Sequence, residues 1–367
     1  MKSVNSSMLV LARESRGLSQ TQLAGALGIS QGKLSKYETG MLRVSDVDLL
    51  QLARVLRYHR DLFVHEACVY SLGSSNVFNR RYKSAPVSMQ KKVQARINVA
   101  RLQIERLLQA TEIDHLSLFQ RTHLAELDGR PAKTALQIRE LWRVPRGPIP
   151  NLTALVENAG GIVCELDFET PTIDATHFWV PGVAPMFFLN SQTPQDRRRF
   201  SLAHEIGHAV MHQVASEDAE NEANEFAAEF LMPRESISAQ LQLLTIERAA
   251  QLKATWRVSI QALVRRAFEV RAISERRYKD LNRHISARGE RMIEPFPITE
   301  ETASIRERLI DLHRRELGYS DSQIQQLLFE APSAHPFDVV AAPRTIQFPR
   351  VGRSDEGPDV QGVLFEA

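Results

Sequence analysis

Between residues 8 and 63 apolar side chains recur at helical spacing in four short runs, each with its own punctuation. The first ends near Gly17. Ser19 and Gln22 make a capping box ahead of Leu23, Ala24 and Leu27, and Gly28 is the stop. Ser30 caps a third run through Leu34 and Tyr37 to Gly40. Ser45 and Asp48 open a fourth, whose stripe is expected to carry Val47, Leu49, Leu50, Leu52, Ala53 and Leu56. Two short helices about the tight turn Gly28-Ile29-Ser30 predict a helix-turn-helix arrangement, whose second helix enters a major groove.

From Asn79 to Arg106 the chain carries Arg80, Arg81, Lys83, Lys91, Lys92, Arg96, Arg101 and Arg106 against the single acid Glu105. Val93, Ile97, Ala100, Ile104, Leu107 and Leu108 give the run an apolar stripe. It reads as a helix whose basic side extends a DNA footprint, docks an acidic partner or simply faces solvent. A different pattern begins after Pro145, Pro148 and Pro150. Leu152 to Asn158 reads as a helix stopped at Gly160-Gly161, followed by strands over Ile162 to Leu166, Phe178 to Val180 and Met186 to Leu189. Met186 to Asn190 is the expected strand for holding a peptide by strand addition.

The next helix is expected to start with Thr193 as N-cap, Pro194 at the first helical position and Asp196 at the third. Its stripe is Phe200, Ala203, Ile206, Gly207, Val210 and Met211. Further helices are expected over Val258 to Ala267, Ser274 to Arg288 and Thr299 to Leu317. A loosely packed end is expected around Pro332, Pro336, Pro343, Pro349, Gly352 and Gly357.

The helix after the strands contains His204-Glu205-Ile206-Gly207-His208. Positions four apart lie on one face, so His204 and His208 can aim at a single ion, and two imidazoles with one carboxylate are a catalytic zinc ligand set. Glu205 is placed as general base. The third ligand comes from the next run, where Ala223, Phe226, Ala227, Phe230 and Leu231 share one side. Glu220 and Asn224 lie at its margin, Glu222 is intermediate, and Glu225 and Glu229 point away. Glu220 is therefore the expected ligand and Glu222 the alternative, with Asn224 holding the far ring nitrogen of a ligating histidine. His212 reads as a packing or helix-end residue.

Composition changes this picture little. The 367 residues are 43% hydrophobic and 25% charged with a net charge of +2, ordinary for a globular protein of two or three domains. Residues 1 to 64 carry nine Lys and Arg against five Asp and Glu, a modest excess for a phosphate-binding surface. Cys68 and Cys164 are the only cysteines, which excludes a disulfide framework or a thiolate metal cluster. No apolar run approaches a membrane span, no signal-peptide core opens the chain, and a cytoplasmic protein is expected. The expected domains are a head over 1–66, a basic helical linker over 67–134, a metal domain over 135–270 and a helical extension over 271–367.

The run SQTQLAGALGISQGKLSKYETG resembles the Xre/Cro family of DNA-binding domains. That resemblance implies double-stranded DNA as a partner, with Gln31 and Lys36 facing base edges and Gln20 and Lys33 nearer the phosphates. It also implies a homodimer on paired half-sites. Gly32 departs from the pattern by offering no side chain where relatives place a reader. Arg197 to His208 (RRRFSLAHEIGH) and Glu220 to Pro233 (ENEANEFAAEFLMP) resemble the ImmA/IrrE metallopeptidases, over roughly residues 135 to 270. The resemblance implies Zn2+ held by His204, His208 and Glu220, catalysis by Glu205, and cleavage of a repressor or other regulatory protein. Fused relatives also imply an alternative, an antitoxin-like or ligand-sensing regulator that binds a cognate toxin without turnover. The expected fold is α+β and predominantly α: an all-α head, a zincin-like domain with a small sheet, and a helical extension.

Overall fold

The computed structural model describes residues 3–70, 85–111, 117–121, 130–180, 183–212, 217–290 and 293–331. Arg80, Arg81 and Lys83 of the basic run, and the prolines and glycines from Pro332 to Gly357, lie outside them. The chain divides into two compact units. Among the described residues, one draws on 3–69, 98–111 and 306–331, the other on those between 70 and 97 and between 117 and 305.

The smaller unit opens with α1 (Ser6–Ser15), α2 (Gln20–Leu27), α3 (Gln31–Glu38) and α4 (Asp46–Leu56). Local chemistry sets their ends. Ser19 and Gln22 form a complete capping box, Ser30 accepts from Lys33 N, Ser45 accepts from Asp48 N, and Gly28 closes α2 at φ 66°. Leu9, Leu23, Leu34 and Leu52 are wholly buried between these helices. Val47 and Leu50 depart from the expected stripe. They are 67% and 58% exposed, because Leu49, Leu52, Ala53 and Leu56 already fill the inner face of α4.

Helix α5 (Val87–Gln109) is divided between the units, its residues up to Ile97 counting with the larger one. Val93, Ile97, Ala100, Ile104 and Leu107 are buried as the stripe predicts. Its basic side chains find partners within the chain. In the larger unit Lys92 and Arg96 bond Glu169, and Arg96 also donates to the Asp167 carbonyl. In the smaller unit Arg101 pairs with Glu105 and the Cys68 carbonyl, and Arg106 reaches the Gln326 carbonyl and lies 4.3 Å over the Phe329 ring.

The larger unit continues with α6 (Pro131–Leu141), α7 (Leu152–Asn158), β1 (Ile162–Leu166), β2 (Ala175–Phe178) and β3 (Met186–Asn190). Then follow α8 (Gln195–Met211), α9 (Ala219–Leu231), α10 (Arg234–Ile237), α11 (Ile246–Trp256), α12 (Ile260–Glu269) and α13 (Glu275–Ala287). The sheet runs β1-β3-β2, with β1 parallel and β2 antiparallel to β3. The second strand therefore lies over Ala175–Phe178 and not over Phe178 to Val180. Strand addition at Met186 to Asn190 is overturned, because β3 is fully buried and bonded on both edges. The outer strand β2 lies against α8.

α8 packs on the sheet and α9 on α8 and α6, with Leu202, Ala203, Ile206, Phe226 and Phe230 in one buried core. α8 begins at Gln195 after Pro194, and Thr193 donates its hydroxyl to Asp174 instead of capping the helix. Four successive charged residues anchor its first turn. Asp196 binds Lys253, Arg197 binds Asp174, Arg198 binds Glu165, and Arg199 binds Glu301. Lys253 also holds Glu294, 3.0 Å away. Glu294 and Glu301 come from a stretch without helix or strand, and the helix expected from Thr299 forms only from Ile305. This is α14 (Ile305–Arg315), and α15 (Asp321–Leu327) follows it in the smaller unit.

Candidate metal centre

His204 and His208 sit one turn apart on α8 with their Nε2 atoms 2.9 Å from each other. Across from them α9 brings Glu220, whose Oε1 is 3.5 Å from His208 Nε2 and whose Oε2 is 3.9 Å from His204 Nε2. One donor atom from each of the three residues falls within 4.8 Å of the others.

The close approach of the two helices depends on Gly207. A Cβ there would lie 3.0 to 3.2 Å from the Phe226 side chain, tighter than ordinary packing. Phe226 is wholly buried and has little room to give, so Gly207→Ala is expected to destabilise the unit by up to about 2 kcal/mol, an overpacking cost of about 1–3 less the roughly 1 kcal/mol that alanine gains in a helix, and to loosen the Glu220 side of the site. Urea unfolding of the variant checks the first effect, and zinc affinity checks the second.

Burial pushes the His204 imidazole down to about 4, with repulsion from His208 adding to the effect, and pushes His208 down to about 3. Both rings are thus neutral near pH 7. Two neutral imidazoles and a carboxylate converging on one point are a donor set that fits a zinc ion, whose ligand nitrogens lie about 2.0–2.1 Å from the metal. The same shifts set a pH dependence. An imidazole with lowered proton affinity in the folded state takes up a proton on unfolding below its ordinary value of 6.5. Metal-free protein should therefore keep its full stability above that pH and lose it as pH falls toward 4, by on the order of 3 kcal/mol from His204 alone. Urea midpoints in chelator at pH 7 and pH 5 measure this; an unchanged midpoint contradicts it.

Glu205 is 4% exposed and points to His177 of β2, whose Nδ1 is 2.7 Å from Glu205 Oε2. Burial raises the Glu205 carboxyl, but the His177 bond and the neighbouring imidazoles outweigh it and hold it below the usual carboxylate range. The His177 ring also stacks on His208, with centroids 6.2 Å apart. Sequence reading missed His177. It lies on another element, and only the sheet register brings it to α8.

Asn224 Oδ1 stands 3.2 Å from His204 Nδ1. Glu222 lies apart from the three-residue cluster, with its Oε2 2.9 Å from His212 Nε2. His212 in turn meets His208, Nδ1 to Nδ1, at 2.9 Å. Glu225 is exposed, whereas Glu229 does not point away: it is buried, binds Arg266 and accepts from Arg234 N. A cleft of about 960 Å³ opens on His204, Glu205 and Glu220 and runs past Phe200, Arg265 and Tyr278.

Comparison with protein families adds two matches. Residues 156–268 match the peptidase M78 model, an IrrE N-terminal-like domain, and residues 9–65 match a helix-turn-helix domain. The chain joins a helix-turn-helix domain to an IrrE N-terminal-like domain. Comparison with curated proteins found no match.

The matched IrrE-like span contains β1 to β3, both histidines of α8, and α9 with Glu220 and Glu222. In the helix-turn-helix domain Gln31 and Lys36 are exposed on α3. Gln31 Nε2 donates to Gln20 Oε1 at 2.7 Å, and Gln20 Nε2 donates to Glu38 at 2.8 Å. Lys33 is engaged by Asp48, 3.2 Å away, which also accepts from the Tyr37 hydroxyl. Gly32 leaves open space at its missing Cβ. Among the described residues no helix is long and apolar enough to cross a membrane.

Proposed function

We propose that this helix-turn-helix regulator is also a zinc-dependent endopeptidase that hydrolyses a peptide bond in a regulatory protein, such as a DNA-binding repressor. The observation carrying the reading is the convergence of His204, His208 and Glu220 beside a buried Glu205, at the wall of a cleft large enough for a peptide. A structural site has no need of a carboxylate in that place.

A zinc ion bound there supplies Lewis acidity toward a water and a peptide carbonyl. The chain supplies the rest. Glu205, kept ionised by the bond from His177 Nδ1–H, takes the water proton at its carboxylate and returns it to the leaving amine. Asn224 Oδ1 accepts from His204 Nδ1–H, which leaves the Nε2 lone pair facing Glu220. Gln20, Gln31, Lys33 and Lys36 are assigned to DNA, Gln31 and Lys36 at base edges.

The test incubates zinc-loaded protein with DNA-binding regulators encoded beside its gene. Discrete fragments that vanish with Glu205→Gln are expected. Equal cleavage by the wild type and the variant contradicts the proposal. So does protection from a neighbouring toxin that survives Glu205→Gln with no cleavage of any regulator, which is the behaviour of a non-catalytic antitoxin.

A further inference from the structure

We infer that His212 and Glu222 form with His208 a hydrogen-bonded chain that fixes which nitrogen of His208 faces the metal. The inference rests on the zinc reading above and concerns how the chain prepares its ligand. His208 Nε2 faces His204 and Glu220, and its other nitrogen meets His212 Nδ1 at 2.9 Å. His212 Nε2 lies 2.9 Å from Glu222 Oε2 on α9.

The proton positions follow from the groups at the two ends. An ionised carboxylate only accepts, so the His212 Nε2 facing Glu222 carries a hydrogen. A neutral His212 then offers a lone pair at Nδ1. The contact between the two Nδ1 atoms needs one donor, so His208 donates from Nδ1 and keeps its lone pair on Nε2, the nitrogen turned to the ligand cluster. The opposite tautomer would place a hydrogen where a metal ligand needs an electron pair. Both imidazoles are buried, with side chains 2% and 3% exposed, so little water competes for these bonds. The chain also ties the end of α8 to the first turn of α9, the two helices that carry all three ligands. His212 and Glu222 are thus positioning residues that act through His208.

Zinc dissociation constants of the full-length protein, read by competition with a chromophoric chelator, test the inference. His212→Phe removes the acceptor and is expected to weaken zinc binding about 10- to 100-fold. Glu222→Ala, on a partly exposed side chain, should weaken it less but in the same direction. His212→Asn places a carbonyl oxygen close to where Nδ1 stood and should stay within about threefold of wild type. Thermal unfolding in chelator monitors folding of each variant; should His212→Phe not fold, Glu222→Ala and His212→Asn decide. Wild-type affinity in both His212→Phe and Glu222→Ala overturns the inference, as does an Asn variant as weak as the Phe variant. Failure of the zinc reading itself looks different: wild type and His204→Ala would then bind zinc equally poorly.

Discussion

Glu205→Gln is expected to lower peptide-bond hydrolysis about 100- to 10,000-fold while the zinc content per chain stays at the wild-type value. The amide keeps the shape of the carboxylate but cannot take a proton from water at neutral pH. Glu205 is not one of the three converging ligands, so the loss should appear in kcat and leave zinc affinity intact. The bond to His177 sharpens the expectation. A glutamine can still meet that ring, so the fold of the site should survive and the loss can be assigned to chemistry. A variant within about tenfold of wild type, on a substrate the wild type cleaves, would remove Glu205 from the proton-transfer role.

The second large effect concerns stability. Glu301→Ala is expected to destabilise the larger unit by about 3–5 kcal/mol. Glu301 and Arg199 are each 1% exposed at the side chain and bonded to one another. Glu301 Oε2 also accepts from Leu152 N at 2.9 Å and from Thr153 N at 3.0 Å, the first turn of α7. Removing the carboxylate leaves a buried guanidinium with the Ile149 carbonyl as a remaining partner, 2.8 Å away, and takes the acceptor from the Leu152 and Thr153 amides, while Asn151 still caps α7 through Ala154 N. Adding Arg199→Met should recover part of the loss, because the uncompensated charge then disappears. Urea unfolding of the single and double variants measures both effects. A single variant within about 1 kcal/mol of wild type would show that the ion pair contributes little.

Much of the site is legible in the sequence because its signals are local. Helix periodicity puts His204 and His208 on one face, and the same reasoning on the following run brings Glu220 toward them. The caps at Ser19, Ser30 and Ser45 are legible for the same reason, since each bonds a backbone amide three residues on. Contacts set by tertiary packing are not legible. His177 reaches Glu205 only through the placement of β2 beside α8. His212 and Glu222 read as a helix-end residue and an alternative ligand when taken singly, yet they bond each other across two helices.

Nothing in the sequence links the charged run from Asp196 to Arg199 to its partners, Glu301 among them, or Lys253 to Glu294. These partners lie between about 20 and 100 residues away and no periodicity connects them. The outer strand was misplaced because four residues are too few for alternation to fix a boundary.

The most direct test of the zinc centre is X-ray absorption at the zinc K-edge on the purified full-length chain. The expected result is one zinc per chain with two imidazole rings and oxygen ligands in the coordination shell. The metal should be lost in His204→Ala and weakened in Glu220→Ala. Absence of stoichiometric zinc, or a shell without imidazole, would contradict the assignment of His204, His208 and Glu220 as a metal site.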